Sequence, residues 1–297
     1  MIKLEQVHQV LAPQIIGNDI AKQLLFLQLF TRPALGEKFN ILMIGDTASS
    51  KTDLVDEIRS FYFNSIFVGR NTTSVGLFGA VRGNQLIGGA IHKVNNGIVF
   101  IDEIDKLDSA VKKDLIQLLD KYGITITKAG MQFPITTKAN YTATANPIGG
   151  NWIGDPSVTQ IPFSPILLNR FHIVVPFTSL KAEDYGELKK SFTIKEDEEA
   201  KESRMVVLTE FLSRAKKYDK IKVPEKFINS SVGFIQALKE EYSQYLPLIS
   251  PRQIEGFLTL MKASARMDLR TEVNQEDFIQ IKKFYMGATK LWMPKGM

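Results

Sequence analysis

The 297-residue sequence contains no cysteine and 3 histidines. Without cysteine, the chain can form no disulfide, no thiol nucleophile and no thiolate metal centre, and three scattered histidines argue against a zinc site. No apolar run approaches the ~20 residues that a membrane-spanning helix needs. The N-terminal residues lack the apolar core of a secretory signal. These absences favour an intracellular, cytoplasmic protein without membrane segments.

The overall composition is that of an ordinary globular protein. Hydrophobic residues make up 44% and charged residues 23% of the chain, and its length allows two domains. The formal net charge is +5 and the isoelectric point is about 9.1. A basic excess of this size is compatible with a polyanionic partner but does not require one.

The most informative segment is a short loop with the pattern of a phosphate-binding motif. Its residues are Gly45, Asp46, Thr47, Ala48, Ser49, Ser50, Lys51 and Thr52. An apolar run of strand length precedes it and a helical apolar spacing follows it, which is the context that such a motif requires. The loop N–H groups are then expected to face nucleotide phosphates, with Lys51 on the β- and γ-phosphates and the Thr52 hydroxyl on Mg²⁺. Ser50 stands where the motif asks for glycine, so the pattern alone is weak.

Two carboxylates follow a second apolar run. Residues 98–101 read as a strand buried on both faces, and Asp102 and Glu103 come directly after it. Ligands of open α/β sheets lie at the carboxyl ends of the strands. We therefore expect Asp102 to hold the Mg²⁺ shell and Glu103 to polarise the attacking water. The alternative is a solvated acidic pair that leads into the next helix.

Asn146 ends a third strand-like run and is followed by Pro147, which disfavours helix at the asparagine. Its amide could position the water or sense the γ-phosphate, and the alternative is a turn asparagine. Each of these three segments is weak alone. Their order, each at the end of an apolar run, predicts a nucleoside triphosphatase.

Strand-like runs alternate with helical patterns from residue 39 to 177, which predicts an α/β fold with a parallel sheet between helices. We expect a nucleotide-binding domain over 1–180, a polar connection over 181–205 and a smaller all-helical lid over 206–297. Ser250 with Pro251, and Asn274 with Asp277, are helix starts, and the last helix should end near Gly287. Nucleotide is expected in the crevice between the domain and the lid.

Several segments resemble one family over nearly the whole chain. They are 11–17 (LAPQIIG), 27–30 (LQLF), 101–106 (IDEIDK), 128–130 (KAG), 167–171 (LLNRF) and 250–253 (SPRQ). The chain resembles the AAA+ P-loop motor domain of the minichromosome maintenance (MCM) DNA helicases. The usual N-terminal DNA-binding region of that family has no counterpart in this sequence. A minimal natural protein and an excised part of a longer one both fit this pattern.

The resemblance implies a ring, usually a hexamer, that hydrolyses ATP with Mg²⁺ at subunit interfaces. It implies an ATP site made by Lys51, Thr52, Asp102, Glu103 and Asn146. It further implies adenine-side contacts from Ile16 and Gly17. Arg170 matches the arginine finger and Arg252 the second sensor, both of which act on a neighbour's nucleotide.

The resemblance also implies contact with single-stranded or forked DNA, without sequence specificity, and accessory replication proteins as further partners. Lys128 matches a hairpin lysine that faces the ring channel. Residues 124–127 alternate, and with residues 128–135 they form a hairpin pattern with glycine near the turn. Arg82 lies in a second, shortened insert and is a further DNA candidate. Lys121-Tyr122 and His172 depart from the family pattern, which usually has glutamines and aspartate there.

The leading hypothesis is therefore an MCM-like ATP-driven helicase or translocase. One alternative is a remodelling ATPase of the MoxR or magnesium-chelatase kind, which acts on proteins. Another is a weakly catalytic, nucleotide-binding regulatory subunit of a helicase.

Overall fold

The computed structural model describes residues 4–82, 85–120, 123–128, 131–178, 198–247 and 249–294. The predicted connection over 181–205 lies outside these residues up to position 197, as do Lys121 and Tyr122. Within the described ranges, every helix is too short or too polar to cross a bilayer.

A five-stranded parallel sheet forms the centre of the molecule. Its strands, in the spatial order β2-β5-β8-β1-β9, are β1 (Ile41–Gly45), β2 (Ser65–Val68), β5 (Ile98–Ile101), β8 (Asn140–Ala145) and β9 (Ile173–Phe177). Every residue of β1, β5 and β8 is buried. Continuous burial of this kind belongs to a sheet that is covered on both faces. The predicted α/β architecture is confirmed.

Successive residues of the central strands enter two separate cores. Ile41 and Met43 of β1 pack in one core, and Leu42 and Ile44 pack in the other, because strand side chains alternate between faces. The helices of the N-terminal part are α1 (Val7–Val10), α2 (Asp19–Gln28), α3 (Lys51–Phe61), α4 (Ser74–Phe78), α5 (Ser109–Asp120) and α6 (Pro165–Leu168). The first core contains α2 and α3, and the second contains α5 and α6. Helices therefore cover both faces of the sheet.

Two antiparallel hairpins project from this scaffold. One pairs β3 (Gly79–Arg82) with β4 (Gln85–Gly88), and the other pairs β6 (Gly123–Lys128) with β7 (Met131–Thr136). The second is the hairpin that the alternation predicts, and Lys128 ends its first strand. Arg82 ends β3 and is exposed.

The C-terminal part consists of four helices within the described residues: α7 (Glu198–Ala215), α8 (Glu225–Tyr242), α9 (Pro251–Met267) and α10 (Gln275–Lys290). Capping boxes formed by Ser250 with Gln253 and by Asn274 with Asp277 open α9 and α10, as predicted. Buried residues of all four helices join the first core, so the helical part shares a hydrophobic core with α2 and α3. The proposed domain boundaries stay a prediction.

Two helix limits differ from the sequence-based expectation. Helix α7 begins at Glu198 rather than near Val206, because its acidic start suits a helix N-terminus and Arg204 forms an ion pair with Glu57 of α3 at 2.8 Å. Helix α10 continues past Gly287 to Lys290. A β-carbon at Gly287 would lie 2.8 Å from Cδ1 of Ile20, so this glycine permits close packing against α2 rather than ending the helix.

A buried ion pair joins the helical part to the α/β part. Arg266 of α9 is fully buried, and its guanidinium donates to both carboxylate oxygens of Glu37 at 2.8 and 3.0 Å. It also donates to the carbonyl oxygens of Phe30, Tyr218 and Asp219. Such a pair is sustained by its complete set of hydrogen bonds rather than by charge alone.

Glu37→Ala should lower the free energy of unfolding by about 3–5 kcal/mol, because it leaves a buried guanidinium without its carboxylate. Glu210→Ala is the control, since Glu210 and Arg214 form an exposed pair at 3.8 Å whose loss should cost less than about 1 kcal/mol. Urea denaturation followed by circular dichroism measures both values. Equal losses in the two variants would contradict this role of the buried pair.

A second buried polar network lies at the amino end of the sheet, where the strands begin. The fully buried amide of Asn40 donates to the carbonyl oxygens of Leu119 at 3.1 Å and Arg170 at 2.9 Å, and its oxygen accepts from the N–H of Tyr141. The N–H of Asn40 donates to Nδ1 of His172 at 2.8 Å. Burial and the nearby cations lower the pKa of His172 well below its usual value, so this imidazole is neutral.

Lys38 lies beside this network and donates to the carbonyl oxygen of Leu118 at 3.0 Å. Its pKa is lowered to about 7, mainly by burial and also by the nearby charges of Arg252 and Arg170, while Asp120 opposes the shift. The ammonium charge is therefore disfavoured in the folded chain relative to the unfolded chain.

The contribution of Lys38 to stability should rise with pH. Between its folded pKa of about 7 and its unfolded value of 10.5, the unfolded chain binds the proton and the folded chain does not. The free energy of unfolding of the native protein minus that of Lys38→Met should increase by about 2 kcal/mol at most from pH 7 to pH 9. Urea denaturation across this range measures the slope. Lys220→Met, at an exposed lysine, should show none, and a flat difference for Lys38→Met would refute the prediction.

Candidate nucleotide site and a distant arginine pair

The register of the sheet brings the three predicted segments together at its carboxyl end, where the strands finish. Ile44 of β1 lies beside Ala145 of β8, and Ile101 of β5 lies beside Ala143. The residues that follow these strands therefore emerge next to one another. They are the phosphate loop, the Asp102–Glu103 pair and Asn146.

The phosphate loop is held in an unusual backbone conformation. Ala48 and Ser50 both have positive φ, at 62° and 59°. Non-glycine residues in the left-handed region cost roughly 1–2 kcal/mol each, and such strain concentrates at functional sites. The sequence motif asks for glycine at position 50 because of this conformation.

The loop is anchored to the segment that follows Asn146. The N–H of Thr47 donates to the carbonyl oxygen of Gly150 at 3.1 Å, and the N–H of Trp152 donates to the Asp46 carboxylate at 2.7 Å. Ser49 donates from its hydroxyl to the carbonyl oxygen of Asp46. These contacts fix the loop from outside and offset its strain.

Lys51 opens α3 and its ammonium is buried at the base of the loop. It donates to the carbonyl oxygens of Gly45 at 2.9 Å and Asp46 at 2.7 Å, and to the side chains of Ser49 and Asn146 at 3.0 and 3.3 Å. All of these partners are neutral acceptors. Burial lowers the pKa of Lys51 to about 8, against the opposing effect of four nearby carboxylates. An anionic ligand would stabilise the charged ammonium.

Three oxygen atoms converge beside Lys51. Oδ1 of Asp102 accepts from the Thr52 hydroxyl at 3.1 Å and from the Thr144 hydroxyl at 2.6 Å. A carboxylate and a hydroxyl next to a phosphate site are the hard oxygen donors that Mg²⁺ prefers. Asp102 and Thr52 therefore fit the predicted metal position, and Thr144 orients the carboxylate.

Glu103 is positioned through its backbone. It has φ of 49°, and its N–H donates to the Thr144 hydroxyl at 2.9 Å. The Asn146 amide lies 3.5 Å from Oε1 of Glu103, and Lys106 forms an ion pair with the same oxygen. The carboxylate and the amide thus lie side by side, as the polarisation and orientation of a water molecule require.

These side chains line one pocket of about 280 Å³, formed by residues 47–53 with Asp102, Glu103, Thr144 and Asn146. A neighbouring cleft of about 600 Å³ is lined by residues 18–21, Asp46, Trp152 and residues of the C-terminal segment, including Lys290 and Leu291. Asp46 closes the loop side of this cleft. Ile16 and Gly17 are not in its lining, which begins one residue further along at Asn18. Adenine contact by Ile16 and Gly17 stays a prediction.

Arg170 and Arg252 lie at the opposite, amino end of the sheet. Arg170 precedes β9, whose Ile173 pairs with Ile41 at the start of β1, whereas the phosphate loop follows the end of β1. Five strand residues separate the two ends, a distance of roughly 16 Å. Nη1 of Arg170 and Nη2 of Arg252 donate to the same oxygen, Oδ1 of Asp120, at 2.6 and 2.8 Å. The structure therefore brings the arginines to each other and not to the phosphate loop of their own chain.

Sequence reasoning gave Thr144 and Asp120 no role in the site. Thr144 has a local signal, since a hydroxyl in a fully buried central strand requires a partner. Asp120 has none, because its partners are 50 and 132 positions away along the chain. Lys128 and Arg82, the DNA candidates, each end the first strand of a hairpin.

The sequence is similar to one family of known proteins. The family model described as the MCM P-loop domain matches residues 2–188. The chain is 26% identical over 317 aligned positions to the minichromosome maintenance protein MCM of Saccharolobus solfataricus, covering 98% of this chain and 46% of that protein. It is 27% identical over 312 positions to DNA replication licensing factor mcm4 of Schizosaccharomyces pombe, covering 94% and 34%. With Drosophila melanogaster Mcm2, also a DNA replication licensing factor, it shares 26% over 329 positions, covering 95% and 37%.

The chain thus spans less than half the length of these relatives. The family match covers more than half of this chain and includes the phosphate loop, the acidic pair, Asn146 and Arg170. With a parallel sheet between helices and a helical C-terminal part, the chain belongs to the minichromosome maintenance (MCM) family and has its α/β AAA+ fold.

Proposed function

We propose that this chain is an ATP-driven DNA helicase or translocase motor that works as a ring, in which each ATP site is completed by the neighbouring copy. The observation that carries this proposal is the separation of the site into two halves. The phosphate loop and its carboxylates lie at the carboxyl end of the sheet, and the arginine pair (Arg170 and Arg252) lies at the amino end.

The half of the site at the carboxyl end of the sheet binds the nucleotide and activates the attacking water. Loop N–H groups and Lys51 hold the phosphates at the start of α3, where the helix dipole favours negative charge. Glu103 polarises the attacking water and Asn146 orients it. Asp102 and Thr52 would hold Mg²⁺, which supplies positive charge to the phosphate oxygens.

The half of the site at the amino end of the sheet stabilises negative charge on the phosphate of the neighbouring copy's nucleotide. Nε of Arg170 is buried and has no hydrogen-bond partner among the described residues, so any contact with another copy is made by the exposed part of the guanidinium. Arg170 and Asp120 are each about one-quarter exposed, at 25% and 26%. A guanidinium supplied in this way offsets the charge on the γ-phosphoryl oxygens. Since the arginine pair cannot reach its own loop, the acceptor belongs to a second copy placed head to tail. Repeated head-to-tail contacts form a ring when the rotation between copies closes.

Mixing two inactive variants should restore turnover. Arg170→Ala should lower kcat by about 10³-fold or more, and Lys51→Ala should abolish nucleotide binding. In mixed assemblies, an intact loop on an Arg170→Ala copy can meet an intact arginine on a Lys51→Ala copy. Phosphate release by each variant and by mixtures at several ratios measures this effect.

Arg214→Ala is the matched control, because Arg214 is an exposed arginine of α7 whose loss should leave turnover unchanged in every mixture. Failure of all mixtures to regain activity, together with full activity of the native protein as a monomer, would refute the shared site.

DNA contact is assigned to the β6–β7 hairpin. Lys128 is the last residue of β6, next to the turn, and a ring would present one such lysine from each copy. A circle of lysines contacts phosphates without reading bases. Arg82, exposed at the end of β3, is a second candidate of the same kind.

Lys128→Ala should reduce the stimulation of ATPase activity by forked DNA and weaken DNA binding about equally for all sequences. The slope of binding affinity against salt should also become shallower, because fewer counterions are released. Fluorescence anisotropy and phosphate release, with and without DNA, measure these effects. Lys239→Ala, at an exposed lysine of α8, is the control and should behave as the native protein.

Two outcomes would favour the alternatives. Turnover that ignores both DNA and Lys128 would indicate a remodelling ATPase that acts on proteins. Nucleotide binding without turnover in assembled rings would indicate a regulatory subunit, for which the strained loop at Ala48 and Ser50 gives a physical reason.

A further inference from the structure

Asp120 occupies the point where the arginine pair meets. One oxygen of its carboxylate accepts from both guanidiniums, at 2.6 Å from Arg170 and 2.8 Å from Arg252. Arg170 lies just before β9 and Arg252 lies in the first turn of α9, so the two arginines come from separate parts of the fold. Within the described residues, no other carboxylate pairs with either arginine.

The placement of Asp120 is unfavourable for its own helix. It is the last described residue of α5, and the last turn of this helix, as far as it is described, contains no basic residue. A negative charge at a helix C-terminus faces the negative end of the helix dipole. An aspartate here is stabilised by long-range partners rather than by local preference, which is typical of a site that serves function.

The backbone around Asp120 is fixed by the network at the amino end of the sheet. Lys38 donates to the carbonyl oxygen of Leu118, and Asn40 donates to that of Leu119. The same Asn40 amide holds the carbonyl oxygen of Arg170. The Asn40 side chain therefore binds both the backbone next to Asp120 and the backbone of Arg170, and so fixes the distance between these two segments.

The negative charge of Asp120 also keeps the two arginines together. Two guanidiniums at one point repel each other, and a single carboxylate offsets only part of their charge. With the carboxylate, the two groups stay together and keep a net positive charge for an anionic ligand. Without it, mutual repulsion separates them.

We propose that Asp120 is a positioning residue that holds Arg170 and Arg252 in the geometry needed to contact the phosphates of a neighbouring copy. This inference rests on the proposed function. It assigns to Asp120 a role in the ATP site of the next subunit and none in its own.

The test is Asp120→Asn, which removes the charge and keeps the size. It should lower kcat by about 10- to 100-fold, as expected when catalytic groups are misplaced by about 1 Å, with KM for ATP changed by less than about threefold. Asp120→Glu keeps the charge and should retain more activity than Asp120→Asn. Asp56→Asn, the same change at an exposed aspartate of α3, is the matched control and should behave as the native protein.

Mixing Asp120→Asn with Lys51→Ala copies shows whether the defect lies in the arginine pair or in the phosphate loop. Asp120→Asn copies have an intact loop, so adding Lys51→Ala copies, whose arginines are correctly held, should restore turnover. Nucleotide binding and thermal unfolding of each variant are measured alongside, and Asp120→Ser, which also removes the charge, replaces Asp120→Asn in every arm if the latter does not fold.

The outcomes separate this inference from the proposed function. Native turnover by Asp120→Asn would overturn it, as would a loss that Lys51→Ala copies do not restore while they do restore Arg170→Ala. Should Arg170→Ala and Lys51→Ala fail to complement each other, the shared ATP site itself fails first.

Discussion

The direction of β1 is the constraint on which both halves of the site depend. This strand lies between β8 and β9, with parallel pairing on both sides. Its carboxyl end delivers the phosphate loop beside Asp102 and Asn146, and its amino end follows Asn40, which binds the backbone of Arg170. Since a parallel strand cannot be reversed without losing both ladders, the two halves are fixed at opposite ends of the sheet. Within one chain, the arginine pair therefore lies away from the phosphate loop, which is why we propose a site shared between copies.

The carboxyl end of the sheet tolerates a strained backbone because hydrogen bonds connect the polar groups of its loops. Ala48, Ser50 and Glu103 all have positive φ. The loop is fastened to residues 150–152, and Thr144 connects Asp102 to the N–H of Glu103. Strained conformations persist when the surroundings over-determine them. Serine is tolerated at position 50 because β1, α3 and residues 150–152 hold the loop in this conformation without a glycine there.

Local patterns predicted what local physics decides. The buried strands follow from continuous apolar runs, and the starts of α9 and α10 follow from caps at Ser250 and Asn274. The predicted start of α7 is wrong because the polar residues before Val206 resemble a solvated connection, whereas Arg204 joins the helix to α3 through Glu57. The carboxyl-end residues Lys51, Asp102 and Asn146 were found because each follows an apolar run. Their convergence on one pocket depends on strand register, which no single segment contains.

Helix α5 shows why the remaining part of the site escaped prediction. It starts a few residues after the acidic pair, runs for 12 residues and ends at Asp120, a length of about 18 Å. Strand β6 of the hairpin that ends in Lys128 begins at Gly123, three positions further. One helix thus links the Asp102–Glu103 pair, the arginine pair and the hairpin strand for which we propose DNA contact. From its sequence, α5 is an amphipathic helix with an aspartate at the unfavourable end of the helix dipole. The partners of this aspartate, Arg170 and Arg252, are distant in sequence and reach it only in the folded chain. A charge that violates a local preference is therefore the feature by which such a long-range role can be recognised.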